Sequence, residues 1–492
     1  MNKNSLTTAV IAGIAGVVGI ASMANAVNLN PDGLGQALLY PYYTVNSGQQ
    51  TLLSVVNTTG IGKAVKVRFL EGYNSREVLD FNLFLSKYDV WTAAVFSLSD
   101  AGVAGDGAGI FSTDKSCTAP GFTQGPLANG FGYQQFLHYG YTGTASDSGP
   151  TGDDRTREGH FEMIAMGDID PTSTLSKDIT HVNSTPPKCS SAEADFEAGG
   201  FAAIDPPTSG LFGSASVVNV TGGTYYAYNA DALEGFTATT LGSGTGSLNP
   251  SLADVNDAGG ATATAFVFNN GNLITAAYNS GFTGIDAVSA IFDASNIYNE
   301  WQSSSGAGSD WVVTFPTKRF YVDSLYTATT SAYPPFEQGF SEVIPGLSCD
   351  VIGINIFDRE ENTTSQTTCG FSPCPPGQPP SSLCHETNVI TFGGASILGS
   401  TLTSNITPIG HNGWLGLSFT DATHGGTSPA ANSHPMRPDN AGTVFYGLPV
   451  TGFEAVNFVN GNVGGVLANY SGVYRHRGSR CADTTANAGA CS

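Results

Sequence analysis

The sequence predicts a mainly β protein: an antiparallel β-sandwich, immunoglobulin-like in architecture, with long disulfide-tied loops and one or two short helices. Charged residues make up only 12% of the chain, while Gly is abundant at 62 residues. Few Lys and Glu argue against long surface helices, and turn-forming residues between apolar runs favour strands. Eight cysteines form an even set, which in an exported chain indicates disulfide bonds.

The clearest strand pattern lies between residues 36 and 97. Val65, Val67 and Phe69 alternate with Lys66 and Arg68, as expected for a strand with one buried face and one wet face. Three further apolar or alternating runs are separated by turn-forming residues, and they cover residues 51–56, 79–85 and 90–96. Several short strands at such spacing favour an antiparallel sandwich.

One helix is predicted, over Asp286–Trp301. Asp286 can cap its amino terminus, and the apolar residues Val288, Ile291, Phe292 and Ile297 follow a spacing of three to four residues. We expect this helix to lie over a sheet.

The predicted organisation is a signal peptide at 1–26, an N-terminal β-sandwich region at 27–200 and a second β-rich region at 201–492. The helix and further disulfide-tied loops belong to the second region.

The amino terminus has the pattern of a secretory signal peptide. Lys3 precedes an apolar stretch, Ala9–Ile20, and Ala24-Asn25-Ala26 offers a signal peptidase site. The apolar stretch is shorter than the roughly 20 residues that span a bilayer. We therefore expect a mature chain that begins at Val27, contains no transmembrane segment and is secreted to the cell surface or exterior, with the periplasm as an alternative.

The disulfide candidates are the eight cysteines, all in the predicted mature chain: Cys117, Cys189, Cys349, Cys369, Cys374, Cys384, Cys481 and Cys491. Proximity in sequence favours the pairs Cys117–Cys189, Cys349–Cys369, Cys374–Cys384 and Cys481–Cys491, although sequence alone does not determine connectivity.

The charge balance excludes nucleic acid as a partner. The chain has 18 basic and 40 acidic residues and a net charge of −22. Binding to nucleic acid or to anionic lipid requires basic patches, and an acidic chain repels both.

Glu158, His160 and Glu162 share one face of a predicted strand, because side chains alternate along strands. The two carboxylates would lie about 13 Å apart, too far for the acid/base pair of a glycosidase, which needs at most about 9.5 Å. We interpret them as a solvated face, with cation binding as the alternative.

Acidic loops make calcium the one cofactor to consider, since calcium prefers oxygen ligands. The candidate pairs are Asp100 with Asp106, Asp153 with Asp154, Asp168 with Asp170, and Asp254 with Asp257. None has the complete pattern of a calcium-binding loop, so we assign no metal site and no cofactor.

Hydrolase patterns are weak. The sequence contains no G-x-S-x-G and no H-E-x-x-H motif. Asp421 and His424 could belong to a triad, but we interpret them as unrelated loop residues and predict no catalytic residue.

Two tyrosine groups could form a sugar-binding platform through their flat apolar faces. They are Tyr40 with Tyr42 and Tyr43, and Tyr225 with Tyr226 and Tyr228. Aromatic residues on strands more often belong to the core.

Together these features predict a secreted structural or adhesive surface protein without catalytic activity, whose partners are other copies of itself or cell-surface glycans. A glycan- or calcium-binding module is the first alternative. An extracellular hydrolase with an unrecognised site is the second.

Overall fold

The computed structural model describes residues 26–257, 260–269, 271–363, 382–420 and 434–483. Of the described residues 45% are in strands and 13% in helices, and the strands pair antiparallel except for β23 with β24, which confirms the mainly β prediction. Of the predicted signal peptide only Ala26 lies within the described residues. Strands are numbered below in chain order.

The first sheet has eight strands, arranged β1-β14-β2-β10-β4-β5-β8, with β11 paired to β10. Its long central strand β10 is buried along its whole length, because β2 and β4 flank it and other parts of the chain cover both faces of the sheet. The strands are β1 (Asn28–Leu29), β2 (Ala37–Thr44), β4 (Gly62–Glu71), β5 (Glu77–Leu85), β8 (Cys117–Ala119), β10 (Glu158–Ile169), β11 (Ile204–Asp205) and β14 (Asp231–Glu234).

The second sheet has six strands, arranged β13-β12-β3-β6-β7-β9. The predicted strand segments 51–56 and 90–96 are at its centre as β3 and β6, which pair with each other. The strands are β3 (Gln50–Asn57), β6 (Val90–Ser97), β7 (Ala108–Phe111), β9 (Tyr133–Gln135), β12 (Leu211–Asn219) and β13 (Thr224–Asn229).

The two sheets share one hydrophobic core. Val65 and Val67 of β4 contribute from the first sheet, and Leu53, Val55 and Trp91 contribute from the second. Burial of each such side chain stabilises the folded chain by about 1.5–3 kcal/mol. Because apolar residues alternate along the strands, each sheet has one apolar side, and that side packs against this core.

Hydrogen bonding extends across the predicted boundary at residue 200. Strands β11, β12 and β14 follow that position, yet they pair with β10, β3 and β2, which precede it. The division of the chain into regions 27–200 and 201–492 itself stays a prediction.

The remaining strands form two larger sheets and four short pairs. The five-stranded sheet has the order β24-β23-β19-β28-β29 and the four-stranded sheet the order β21-β25-β18-β30. The strands are β15 (Ala263–Asn269), β16 (Asn272–Tyr278), β17 (Asp293–Ala294), β18 (Asn296–Gln302), β19 (Ala307–Thr314), β20 (Asp350–Val351), β21 (Gly353–Asp358), β22 (Ser382–Leu383), β23 (Thr387–Phe392), β24 (Thr403–Ile406), β25 (Asn412–Ser418), β26 (Val444–Tyr446), β27 (Leu448–Pro449), β28 (Thr451–Val463), β29 (Val466–Arg475), β30 (Arg477–Ser479) and β31 (Cys481–Asp483).

The described helices are short: Thr174–Ile179, Cys189–Phe201, Thr283–Phe292, Arg319–Val322 and Ser324–Thr327. Single 3₁₀ turns occur at Asn46–Gly48, Tyr139–Tyr141, Gly143–Ala145, Asp153–Arg157 and Leu252–Asp254. Within the described ranges, none of the helices has both the length and the apolar character needed to cross a membrane.

The predicted helix Asp286–Trp301 is correct only in its first part. The helix spans Thr283–Phe292, and residues 296–302 form strand β18 instead. In this strand every second side chain is buried, at Ile297, Asn299 and Trp301. This period of two is not apparent in the sequence, because Ile297 also fits the three-to-four-residue spacing of the helix. Asp286 is not the cap, because its carboxylate accepts a hydrogen bond from the Tyr321 hydroxyl at 2.8 Å within the core.

The structure confirms one predicted disulfide and corrects two. Cys117 and Cys189 are joined across 72 residues, and closing a loop of that length stabilises the fold by about 4 kcal/mol. Cys349 pairs with Cys384, so the predicted pairs Cys349–Cys369 and Cys374–Cys384 are both wrong.

Strand pairing explains the correction. Asp350 of β20 lies opposite Leu383 of β22, which brings the residues on either side of this pair together. Cys481 is also disulfide-bonded. Cys369, Cys374 and Cys491 lie outside the described residues, so the pair Cys481–Cys491 stays a prediction.

Candidate binding surfaces

The second sheet is built entirely from uncharged residues. None of its six strands contains Asp, Glu, Lys, Arg or His, although the chain has a net charge of −22. The surface of a soluble protein usually contains interspersed charged side chains, which oppose association. Their absence here makes the outer side of this sheet the first candidate for a binding surface.

The strand register identifies the residues of this outer side. Ser54 lies opposite Ser214 and Thr92, and Leu52 lies opposite Ser216 and Ala94. Their neighbours in sequence point into the shared core, so these residues point away from it. We call this surface the uncharged face: Leu52, Ser54, Val56, Val90, Thr92, Ala94, Phe111, Phe212, Ser214, Ser216, Tyr225 and Ala227.

Hydroxyl and apolar groups alternate across the uncharged face. The hydroxyls of Ser54 and Ser214 are 3.2 Å apart, and Ser216 Oγ donates to the Tyr225 hydroxyl at 2.9 Å. A shallow depression of about 440 Å³ lies over this part of the sheet. Four large apolar or aromatic residues of the face are exposed, namely Leu52, Val90, Phe212 and Tyr225, the last at 57%.

Most of the tyrosines considered for a sugar-binding platform are in the core. Tyr40, Tyr42 and Tyr43 are fully buried, and Tyr43 packs edge-on against Phe69. In the second group Tyr226 and Tyr228 point inward and only Tyr225 is exposed, because strand alternation sends neighbouring side chains to opposite sides. The two tyrosine groups therefore do not form platforms, and the core placement favoured from the sequence is correct for all of them except Tyr225.

The first sheet, in contrast, has charged residues on the side that faces away from the shared core, and they are buried in ion pairs. Arg68 donates to Glu162 at 2.7 Å and to Glu77 at 2.6 Å. Arg319 reaches the same oxygen of Glu162 at 3.3 Å. Lys66, on the same side of β4 as Arg68, is paired with Asp80.

The group Glu158, His160 and Glu162, interpreted above as a solvated face, is fully inside the protein. Glu162 is paired with arginines, and Glu158 accepts hydrogen bonds from Tyr42 at 2.8 Å and from the Thr401 backbone at 2.9 Å. The solvated-face prediction is wrong because segments far along the chain, around 319 and 400, cover this strand.

His160 lies between the arginines without a hydrogen bond of its own. Neither ring nitrogen has a partner within the described residues. Burial, together with the positive charges of Arg319 and Arg68, lowers the pKa of His160 to about 3. The imidazole is therefore neutral at ordinary pH, which avoids a third positive charge beside the two guanidinium groups.

A second buried cluster fixes the loop before β10. Arg155 donates to Glu71 at 2.7 Å and to Asp147 at 2.9 Å, and all three are buried. Burial opposes ionisation of Asp147, but hydrogen bonding and charge from Arg155 outweigh it and lower its pKa. These contacts are structural, since each carboxylate already holds a cation.

One cleft combines titratable groups from distant segments. It has a volume of about 290 Å³, and Asp231, Asp293, His476 and Arg480 line it. The ring nitrogens of His476 contact the Val312 carbonyl at 2.8 Å and the Asn299 amide at 3.0 Å, so this imidazole is occupied.

Asp293 is the unusual member of the cleft. Both its carboxylate oxygens lack a hydrogen-bond partner within the described residues. Burial raises the pKa of Asp293 to about 7, although the charge of Arg480 lowers it in part. The cleft therefore contains a carboxyl group that titrates near neutrality, and the hydroxyl residues Thr451 and Ser479 also line it.

The acidic pairs considered for calcium are used differently. Asp168 holds Lys63, Asp170 bonds Thr172, Asp254 caps a 3₁₀ turn through Ser251, and Asp257 bonds Thr264. Asp153 contacts His138, and Asp100 and Asp106 are exposed. Across the described ranges, no three His, Cys, Asp or Glu side chains are grouped so that they could hold a metal ion.

The hydrolase pair Asp421 and His424 lies outside the described residues. Sequence reasoning also missed the uncharged face, although its signal was present: the segments 50–57, 90–97, 211–219 and 224–229 contain no charged residue.

Comparison with known proteins found no relative. No protein-family model matches the chain, and neither a curated protein nor a solved structure matches it. Any functional argument therefore depends on the geometry described above.

Proposed function

We propose that this chain is an exported, non-catalytic surface protein that associates with copies of itself through the uncharged face. The observation that carries the proposal is the sheet without a single charged residue in a chain of net charge −22. Like charges that meet at an interface cost several kcal/mol. Two copies can avoid that repulsion where the uncharged face of one meets that of the other.

The chemistry of the face supports a contact between two copies. Leu52, Phe212 and Tyr225 supply exposed apolar area, while Ser54 and Ser214 supply hydroxyls that can both donate and accept hydrogen bonds. Ser, Thr and Ala are small, so a second sheet can approach closely. The proposal treats the two N-terminal sheets as the layers of a sandwich, which leaves this face outward.

Export is supported by the cysteines. Cys117–Cys189 and Cys349–Cys384 are bonded, and disulfides persist mainly in oxidising compartments. Mass spectrometry of the native protein should find a chain that starts at Val27. A chain that starts at Met1 and contains free thiols would contradict export.

Sedimentation velocity tests self-association. We expect the mature chain to form dimers or larger species, and we expect added salt to strengthen association because it screens repulsion between acidic copies. Leu52→Glu and Phe212→Glu should each yield monomers, since they place a charge on the face.

Val343→Glu is the matched control, because Val343 is exposed at 52% in a loop away from the uncharged face. It should associate as the unmodified chain does. A chain that stays monomeric at high concentration and high salt would overturn the proposal, as would equal association of all three variants.

A further inference from the structure

A separate cavity lies against the first sheet, away from the uncharged face. Its volume is about 570 Å³, within the range of about 300–1,000 Å³ that small-molecule sites occupy. Residues Glu77–Phe81 of β5 line one wall. Arg68 and Arg76 also line it, and four other parts of the chain contribute residues, at 120–122, 134–145, 246–248 and 325–326.

Large apolar side chains gather around this cavity instead of being scattered. Leu137, Tyr139, Leu248, Leu325 and Tyr326 all line it, and all are substantially exposed, with Tyr139 at 69%. Single exposed apolar residues are ordinary, but a contiguous apolar patch marks an interaction site. Phe81 and Phe122 extend the apolar wall inward, where they pack edge-on at 5.2 Å.

The charged groups of the cavity are already neutralised. Arg68 is paired with Glu77 at 2.6 Å, and Asp80 is paired with Lys66. Arg76, the other cation of the lining, is paired with Asp323 at 2.9 Å. A charged ligand would lose its hydration here without gaining a free counter-charge.

Two carboxylates can still accept hydrogen bonds. Glu77 uses Oε2 for Arg68 and Asp80 uses Oδ2 for Lys66, while a carboxylate has about four acceptor positions. Both side chains retain some exposure, at 13% and 17%. They can therefore receive N–H or O–H donors from a molecule in the cavity.

We propose that this cavity binds an uncharged small molecule with a ring-bearing apolar body and at least one hydrogen-bond donor. The body packs against Tyr139, Tyr326 and the leucines, because aromatic side chains bury large apolar areas and favour ring contacts. The donor reaches Glu77 or Asp80 at the wall formed by β5.

Fluorescence titration with N-phenyl-1-naphthylamine tests the site, since this probe is uncharged and has aromatic rings and one N–H donor. We expect saturable binding to the mature chain. Leu248→Glu and Leu325→Glu should each raise Kd by roughly tenfold or more, equivalent to about 1.4 kcal/mol, because each places a charge at the rim.

Leu467→Glu is the matched control, since Leu467 is exposed at 56% on β29, distant from the cavity lining, and its Kd should be unchanged. No saturable binding, or equal Kd values in all three variants, would overturn the proposal. Far-ultraviolet circular dichroism would establish that each variant is folded.

The anionic probe 1-anilinonaphthalene-8-sulfonate has the same ring system with an added sulfonate. We expect its Kd to be at least roughly tenfold higher than that of the uncharged probe, because every cation in the lining is already paired. Equal or tighter binding of the anionic probe would overturn the inference that the ligand is uncharged.

Discussion

The first and second sheets contribute to the same hydrophobic core, yet they differ in where charge is placed. In the first sheet, Arg68, Glu162 and Lys66 lie on the side away from the shared core, where other segments cover them. In the second sheet, the corresponding side contains hydroxyl and apolar groups and faces outward. One sheet has buried charge and the other has exposed, uncharged surface.

This difference separates two uses of polar residues. A buried ion pair gives little net stability but is expensive to break, because the remaining partner stays buried without compensation. A buried ion pair therefore specifies which segment covers a given strand. Glu162 of β10 pairs with both Arg68 and Arg319, and this holds the helix Arg319–Val322 against the first sheet. An uncharged outer face has no such requirement, so it remains available for contacts between molecules.

The largest expected effect comes from breaking the buried charge layer. Glu162→Ala leaves Arg68 and Arg319 without their shared carboxylate, and we expect a loss of about 3–5 kcal/mol in the free energy of unfolding. Urea unfolding followed by tryptophan fluorescence measures it. Glu360→Ala, at an exposed pair with Arg359, is the control and should cost at most about 1 kcal/mol. Equal losses would contradict the distinction.

An intermediate effect is expected from pH. Burial raises the pKa of Asp293 and Asp310 to about 7 and that of Glu386 and Glu454 to about 8. Between their unfolded and folded pKa values the folded chain binds more protons, so stability falls as pH rises. Three buried histidines have the opposite effect: His160, His385 and His476. Their pKa values in the folded chain are about 3, 3 and 4, below the unfolded value of about 6.5. The unfolded chain therefore binds more protons between these values, and the free energy of unfolding rises with pH up to about 6.5.

Above pH 6.5 the four carboxyl groups outweigh the three histidines, which are then at least half deprotonated in the unfolded chain as well, so the free energy of unfolding should decrease between about pH 6.5 and 8. Asp293→Asn should reduce that slope by up to about 1.4 kcal/mol per pH unit, the contribution of one proton. Urea unfolding at several pH values measures it. Stability that rises across this interval would contradict the buried state of these groups.

The smallest effect is expected on the uncharged face. Thr92→Lys adds a charge at an exposed position, and we expect the free energy of unfolding to change by no more than about 0.5 kcal/mol. The same variant should lose self-association in sedimentation. A large loss of stability would show that the face is covered within the molecule, and retained self-association would show that copies meet elsewhere.

Local patterns predicted the strands well and the coverage of those strands poorly. The alternation at Val65, Val67 and Phe69 correctly identified the face toward the core. The same rule assigned Lys66 and Arg68 to water, yet both are buried. Alternation distinguishes two sides of a strand, but it contains no information about a distant segment that covers the second side.

The helix and the cysteines show the same limit. Ile297 and Trp301 fit a helical spacing in the sequence, but in the fold they belong to strand β18, which pairs with β25 and β30. Cys349 was predicted to pair with Cys369 because they are close in sequence, but strand pairing between 350–351 and 382–383 joins it to Cys384. In both cases hydrogen bonding between distant strands prevailed over local preference.

The sequence alone determined the β-rich class and the uncharged segments of the second sheet, because these depend on composition and local periodicity. Tertiary structure decided that Glu158, His160 and Glu162 are buried, that the tyrosines pack inside and that five exposed apolar residues surround one cavity. Those outcomes depend on contacts between residues more than 100 positions apart, and no short-range pattern encodes such contacts.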